Sequence, residues 1–424
     1  MPGRGGGLAL VCLAMAVASC VEPRDHETAR MPATPGESGV GFTEATAPPG
    51  AQPQTNGYPT DLGPASLQGT IATSRCPDEP WASLAELGLG QNHALLVSPD
   101  MSLDVSGWEL LDPGGGRRRV RVAPIGQGWM SFRGVSPEHR RFAFYAIREE
   151  GDQIELWVAD PVTGEVVRVV GGLERVHRTR WVSDQRIALF RSGEGADSYT
   201  WLIVNTASGE QELLPPLWLP LDTFIFSPDA SRLLYLDYSP KGRMTVHMRD
   251  FGTDADDEVL PWLDPQVFNQ GRGVTLLWHP RGLSIGLVSE RSLVLATDLP
   301  NDALRAETVP TRTLLFDRAS ALGSSGEFVP GGGWFVVYRG FGDYHGDPDT
   351  EWQFLALDTE DGRLYDYCLP PEWRAPQPIE GSPDGRFVSF SRMDIPSALI
   401  LDLETGRRTL LPGEGIWGWI ATDE

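Results

Sequence analysis

The sequence predicts an all-β protein, a seven-bladed β-propeller made of four-stranded antiparallel blades. Three observations predict this fold. The 424 residues include 48 Gly and 35 Pro, a composition typical of many short strands joined by tight turns. One turn, which opens with Asp or Asn and closes four residues later with Gly or Asp, recurs seven times. Its copies are separated by 48, 45, 45, 48, 60 and 44 residues, close to the length of one propeller blade.

The first residues, 1–19, have the pattern of a secretion signal. Arg4 precedes the apolar run Leu8–Val17, and Val17-Ala18-Ser19-Cys20 follows. This tetrapeptide resembles the lipobox of bacterial lipoproteins, and the resemblance implies cleavage before Cys20, lipid on its thiol and anchoring in a membrane. The alternative is an ordinary signal peptide with an incidental cysteine. By the same resemblance, Val21 in place of Asp favours the outer over the inner membrane of the bacterial envelope.

Residues 20–75 are expected to form the lipidated cysteine and a disordered tether. Eight Pro and six Gly fall within residues 21–65, with few large apolar side chains, so this stretch cannot offset its ordering entropy by burial. Residues 76–90 are predicted to form a short capping helix. Asp78 is its capping residue, Pro80 lies in its first turn and Gly88 ends it.

Residues 91–424 are predicted to be the propeller. Asp or Asn at the start of the recurring turn can accept a backbone hydrogen bond, and Gly tolerates the positive φ that closes the hairpin. A second turn, of the Ser-Pro-Asp type, lies between the first two strands of the unit. The recurring Asp-to-Gly turns are Asp112–Gly116, Asp160–Gly164, Asn205–Gly209, Asp250–Asp254, Asp298–Asp302, Asp358–Gly362 and Asp402–Gly406.

The full form of the second turn, Ser382-Pro383-Asp384-Gly385, resembles the TolB-type, WD40-like propeller repeat. The resemblance covers about residues 91–424 and implies a β-propeller. After the last complete unit, the C-terminal residues are enough for one additional first strand. The first unit, in contrast, lacks a first strand of its own. We therefore expect residues 416–421 to form the innermost strand of blade 1 and so to close the ring.

Two cysteines remain after Cys12 leaves with the signal and Cys20 takes lipid. Cys76 and Cys368 would both be exported, so they could form a disulfide that joins the cap segment to the outer strand of blade 6. Two free thiols are the alternative, since spacing alone does not show proximity.

Blade 6 is longer than its neighbours because of the loop between its second and third strands. The loop lies on the face where propeller ligands commonly bind, so it is a candidate recognition patch. Its acidic residues could also suit calcium, but the match to known calcium loops is poor and no metal site is predicted. The candidate contacts are Asp343, Tyr344, His345, Asp347, Asp349 and Trp352.

Three polar residues are expected to face the central channel. Arg180, Glu327 and Glu380 each lie two places before the Ser-Pro-Asp turn of their blade. Glu327 and Glu380 belong to adjacent blades, so one carboxyl could raise the pKa of the other, and Arg180 could neutralise them. The alternative is a water-filled channel lined by solvated groups.

Charge and missing motifs limit the function classes. The net charge of −23 disfavours nucleic acid as a partner. The sequence has no His-Glu-x-x-His motif and no paired Cys-x-x-Cys motifs, and we predict no catalytic residues and no cofactor. We expect an envelope lipoprotein whose propeller binds a protein or peptide. The alternatives are a hydrolase, lyase or sugar-binding protein that uses the channel mouth, and a spacer without a specific ligand.

Overall fold

A computed structural model describes most of the propeller and the segment that leads into it. The predicted signal, Cys20, residues 20–71 of the tether and residues 342–350 of the blade 6 loop lie outside the described residues. The described residues are 72–99, 107–120, 128–148, 154–173, 176–192, 199–214, 224–229, 231–238, 244–253, 256–263, 275–279, 285–288, 292–296, 311–315, 324–341, 351–374, 379–392 and 397–422.

The described residues form strands in seven sheets. In chain order the strands are β1 (Thr73–Ser74); β2 (His93–Pro99), β3 (Glu109–Leu111), β4 (Arg117–Arg119); β5 (Gly128–Val135), β6 (Phe142–Arg148), β7 (Ile154–Ala159), β8 (Val166–Leu173); β9 (Val176–Ser183), β10 (Arg186–Ser192), β11 (Tyr199–Asn205), β12 (Gln211–Leu213); β13 (Phe224–Phe226), β14 (Arg232–Tyr238), β15 (Met244–Asp250), β16 (Asp256–Leu263); β17 (Thr275–Trp278), β18 (Ile285–Val288), β19 (Ser292–Ala296), β20 (Thr311–Leu315); β21 (Ser324–Phe328), β22 (Trp334–Phe341), β23 (Glu351–Asp358), β24 (Leu364–Asp366); β25 (Ile379–Gly381), β26 (Phe387–Arg392), β27 (Ser397–Asp402), β28 (Arg408–Pro412) and β29 (Glu414–Ala421).

These strands form seven antiparallel blades, which confirms the predicted propeller. Blades 2 to 7 each use four consecutive strands. Around the channel, first strands are in contact between blades 7 and 1, 1 and 2, 2 and 3, 4 and 5, and 5 and 6. Blade 1 has the order β29, β2, β3, β4. Its register runs from His93 opposite Ala421 to Pro99 opposite Glu414, so the C-terminal strand closes the ring as predicted.

The recurring turns have local causes. In the turn at Asp160, one carboxylate oxygen accepts hydrogen bonds from the backbone N–H groups of Val162 and Thr163, at 2.8 and 3.0 Å. The N–H of Gly164 donates to the carbonyl of Asp160 at 2.9 Å, and Gly164 has φ +78°. A side chain at that φ would be strained, so Gly ends the turn.

Apolar side chains between neighbouring blades form the core. Buried clusters join blades 1 and 2, 2 and 3, 3 and 4, 5 and 6, 6 and 7, and 7 and 1. At the junction of blades 7 and 1, the rings of Phe387 and Trp419 stack with centroids 6.1 Å apart, and both side chains are fully buried. Complete burial of such a side chain contributes about 1.5–3 kcal/mol, so each blade depends on its neighbours.

The segment before blade 1 differs from its prediction. It forms one turn instead of the predicted helix, and Ser83 rather than Asp78 caps it: Ser83 N–H donates to Glu86 Oε2 at 2.8 Å and Glu86 N–H donates to Ser83 Oγ at 3.3 Å. Gly88, at φ +70°, ends the turn, so too few residues remain between cap and Gly for a longer helix.

The same segment runs along the outer edges of two blades. β1 pairs in parallel with β24 as a fifth strand of blade 6. Further on, the N–H of Ala82 donates to the carbonyl of Arg408 at 2.9 Å, which attaches the segment to blade 7. Leu87 and Leu89 then enter the core between blades 7 and 1. Backbone pairing to preformed sheet edges therefore holds this segment, with one hydrogen-bonded turn on its path.

Candidate functional site

The channel contains the three polar residues expected there. Arg180 lies on β9, Glu327 on β21 and Glu380 on β25, the first strands of blades 3, 6 and 7. Because first strands surround the channel, residues from separate blades can meet across it. Glu327 interacts electrostatically with both Arg180 and Glu380, so the structure brings the three groups together.

Burial and like charge favour the neutral form of the two carboxyls. Burial raises the pKa of Glu327 to about 7, against the opposing effect of the Arg180 guanidinium. Burial and the charge of Glu327 raise the pKa of Glu380 well above its ordinary value. The side chains of Arg180 and Glu327 nevertheless have large accessible surfaces, and that of Glu380 is half-buried. A side chain that borders the channel can be surrounded by protein, which shifts its pKa, and still keep an accessible surface.

Burial also affects the guanidinium. It lowers the pKa of Arg180, Glu327 raises it, and the neighbouring positive charge of Arg178 lowers it. Arginine remains charged in proteins despite such shifts. Arg180 therefore supplies one fixed positive charge opposite two carboxyls.

Tyr338 is a further member of the channel site that the sequence did not indicate. It lies on β22, the second strand of blade 6, and is buried. Burial raises its pKa above the ordinary value, and the charges of Glu327 and Glu380 raise it further, so the phenol stays protonated and able to donate. No pattern within blade 6 distinguishes Tyr338 from other core positions, because its role depends on the adjacent blade.

The closing strand holds the backbone at Glu380. Trp419 Nε1 donates to the Glu380 carbonyl at 3.0 Å, and Ser389 Oγ donates to the same oxygen at 3.2 Å. Trp419 belongs to β29, which completes blade 1. The ring closure therefore also positions one of the two channel carboxyls.

The blade 6 loop is described at its two ends. Trp352 lies at the start of β23, paired with Gly340 on β22. The other candidate contacts, Asp343, Tyr344, His345, Asp347 and Asp349, lie outside the described residues. In the part of the chain that the structure describes, no group of His, Cys, Asp and Glu side chains is arranged to hold a metal ion.

The two remaining cysteines are joined. Cys76 and Cys368 form a disulfide with Cα atoms 5.7 Å apart, across a sequence separation of 292 residues. The bond ties the segment before blade 1 to the chain just after β24 of blade 6. Among the described residues, no helix has the length and apolar character that crossing a membrane requires.

The fold defines the class: this is a seven-bladed β-propeller, and its structure resembles TolB-like and other propellers. TolB from Acinetobacter baumannii is 12% identical over 74% of this chain and 78% of its own, with a TM-score of 0.37. An oligogalacturonate lyase in complex with manganese is 11% identical over 74% and 84%, with a TM-score of 0.42.

A prolyl endopeptidase structure is 14% identical and has a TM-score of 0.44. The match covers 78% of this chain but only 50% of the endopeptidase. No family model matches the sequence, and no curated protein matches it. At these identities, the likeness to solved structures concerns the fold alone.

Proposed function

We propose that this propeller is a non-catalytic binding protein whose channel takes a cationic group from a peptide or protein partner. The observation that carries the proposal is the placement of two carboxyls, Glu327 and Glu380, in one channel with the guanidinium of Arg180. With both carboxyls ionised, these three groups have a net charge of −1. A lysine ammonium or an arginine guanidinium of the partner would balance it.

The energetic reason is desolvation. The Glu380 carboxyl is costly to ionise because burial and the Glu327 charge both oppose it. A bound cation would replace lost solvation with a direct ion pair, which is stronger in this surrounding than in water. Binding would then release a proton, so affinity is expected to rise as the pH passes upward through about 7, the pKa of Glu327.

The charge of the whole chain acts in the same direction. A net charge of −23 attracts basic partners and accelerates their encounter, while it repels phosphate backbones. Rigid β-propeller faces are suited to such contacts because the scaffold needs little ordering on binding.

We further propose that the protein works in the bacterial envelope, held by lipid on Cys20, with the outer membrane favoured. This rests on the sequence Val17-Ala18-Ser19-Cys20 after an apolar run. Labelling of cells with a radioactive fatty acid tests the proposal. The full chain should incorporate label and Cys20→Ala should not, whereas label in both would contradict lipidation at this residue.

The channel site is tested by calorimetry with a defined probe. The probe is a hexapeptide of alternating lysine and alanine, and its control is the same peptide with acetylated lysines. We expect the lysine peptide alone to bind, and Glu380→Gln to weaken it about tenfold, the equivalent of 1.4 kcal/mol. Glu165→Gln is the matched control because it removes the same charge from an exposed turn of blade 2.

Two results would contradict the proposal. Equal weakening by Glu165→Gln and Glu380→Gln would mean that the probe responds to overall charge and not to the channel. Equal binding of the acetylated peptide would mean that no cation is recognised. Absence of any binding would favour the spacer alternative.

One observation favours a second function. A carboxyl with a pKa of about 7, beside another whose pKa is also raised, is the arrangement that general acid and base catalysis uses. The corresponding candidate is a hydrolase or lyase that acts on sugars at the channel mouth. Incubation with an oligosaccharide mixture tests it: new products that disappear in Glu327→Gln would support catalysis, and unchanged oligosaccharides would favour binding alone.

A further inference from the structure

The charged side chains of the channel make no direct polar contact with the protein around them. Arg180 and Glu327 affect each other electrostatically, yet neither forms an ion pair or a side-chain hydrogen bond with any residue that the structure describes. The carboxyl of Glu380 also has no hydrogen-bond partner among those residues. The guanidinium and the two carboxyls can therefore all bind a ligand in the channel.

The hydroxyl of Tyr338 is a further polar group without a partner. The residue is buried, and the charges of Glu327 and Glu380 both act on its phenol. Within the described part of the chain, no group forms a hydrogen bond with this hydroxyl. A buried polar group normally has such a partner, and a ligand in the channel can supply it. A phenol oxygen can accept a hydrogen bond, so Glu327, Glu380 and Tyr338 match the three N–H donors of an ammonium group.

The blade 3 side of the channel is basic. Arg180 lies there, whereas the two carboxyls lie on blades 6 and 7. Arg178, two residues earlier on β9, adds a second positive charge beside Arg180. A ligand that is only a cation would be repelled by these charges. A ligand that also has a carboxylate avoids the repulsion, because a guanidinium pairs with a carboxylate in bidentate geometry.

Blades 4 and 5 lie between the basic and the acidic side of the ring. Ile225 on β13 and Leu277 on β17 have the same position in their blades as Arg180 and Glu327 in theirs, two residues before the turn that follows the first strand. Ile225 is buried and Leu277 half-buried. These aliphatic side chains suit the hydrocarbon part of a ligand whose two ends are charged. Lysine has such a part, a flexible stem that packs on apolar surface while its ammonium stays in a polar environment.

We propose that the channel binds the C-terminal lysine of a peptide. The lysine ammonium lies among Glu327, Glu380 and Tyr338. Its hydrocarbon stem lies along the aliphatic side chains of blades 4 and 5, and its α-carboxylate pairs with Arg180. This inference rests on the cation recognition proposed above and adds a position in the partner sequence. The lysine is the last residue, because an internal lysine has no free carboxylate for the guanidinium.

Calorimetry on the full chain tests the inference with three N-acetylated peptides, each a run of alanines that ends in lysine. The first has a free C-terminal carboxylate, the second has a C-terminal amide, and the third has the free carboxylate but an acetylated lysine side chain. We expect the first to bind at least about tenfold more tightly than the second, the usual effect of one charged hydrogen-bonded contact. Arg180→Gln should remove this preference. Arg186→Gln, which changes an exposed arginine of the same blade, should preserve it.

A second variant, Tyr338→Phe, keeps the test decisive if Arg180→Gln does not fold. It removes only the hydroxyl, so it should weaken the first and second peptides by the same factor, about fivefold, since both have the ammonium. Unchanged affinity in this variant would contradict the placement of the ammonium.

The remaining outcomes separate this inference from the proposed function. Equal binding of the carboxylate and amide peptides, or a preference that persists in Arg180→Gln, would overturn recognition of a C-terminal lysine and leave cation recognition intact. Equal binding of the acetylated peptide would overturn both, as would the absence of binding heat from every peptide at about 10 mM.

Discussion

Acid should loosen the ring through His139, and His139→Asn should remove that sensitivity. His139 follows the Ser-Pro-Glu turn of blade 2, and its ring is buried. Its Nδ1 lies 3.0 Å from the carbonyl of Trp419, and the N–H of Ala421 donates to the His139 carbonyl at 2.8 Å. His139 therefore binds the closing strand. Its φ is +59°, a left-handed conformation that asparagine tolerates better than most residues, so asparagine is the suitable replacement.

The magnitude follows from the pKa of His139. Burial, the largest cause, lowers it, the hydrogen bond to Trp419 and the charge of Asp184 raise it, and the charge of His93 lowers it; together they bring the pKa from 6.5 to about 4. Between these two pH values the unfolded chain holds the proton and the folded chain does not. The free energy of unfolding consequently falls as the pH drops from 6.5 to 4. At about 1.36 kcal/mol per pKa unit, the loss is about 3 kcal/mol.

Denaturant unfolding at a series of pH values measures this effect. At about pH 7, His139→Asn should be less stable than the natural chain by roughly 1 kcal/mol, because a smaller side chain fills the site. By about pH 4 the order should reverse, since the variant lacks the acid-sensitive group. Groups that titrate equally in both proteins cancel in the difference. Parallel stability profiles for the two proteins would refute the assignment of acid sensitivity to His139.

Three further predictions concern closure, the channel and the disulfide. Deletion of residues 415–424 removes most of the first strand of blade 1 and the buried Trp419. The shortened chain should therefore lose the cooperative melting of the full protein, and identical melting curves would contradict closure of the ring by the C-terminal strand. Glu380→Gln should stabilise the fold by roughly 1 kcal/mol at about pH 8 and have no effect at about pH 4. The natural chain loses stability as the pH rises, because the pKa of Glu380 is higher in the folded than in the unfolded chain. A difference in unfolding free energy between the two proteins that is the same at both pH values in urea would contradict this. Cys76→Ser, which leaves Cys368 unpaired, should lower the unfolding free energy by about 2–4 kcal/mol. Reductant should lower it by a similar amount in the natural chain and leave the variant unchanged. An unfolding midpoint that changes with neither the substitution nor reductant would contradict a stabilising bond.

Blade number and closure could be predicted because their signals are local. Each Asp-to-Gly turn depends on hydrogen bonds within about four residues, as at Asp160, and so appears in the sequence at every repeat. The helix predicted within residues 76–90 does not form, and here the cause is tertiary. Local capping signals were present at Asp78, but the edges of blades 6 and 7 offered backbone partners that a helix could not use. Tertiary pairing outweighed local preference.

The channel site was predictable only in part. Arg180, Glu327 and Glu380 share one position in the repeat, so their common direction toward the channel followed from the blade frame. Tyr338 did not, because it lies on a second strand and meets the carboxyls through the junction of blades 6 and 7.

The amino-acid order alone determined the repeating unit, the number of units and the strand that completes the first one, since each depends on turns and alternation between close neighbours. Only the tertiary structure decided which side chains from separate blades lie close together and how far burial shifts the pKa values of His139 and Glu327. These properties depend on groups that are distant in the chain. Their electrostatic effects exist once the folded ring excludes water and brings them together.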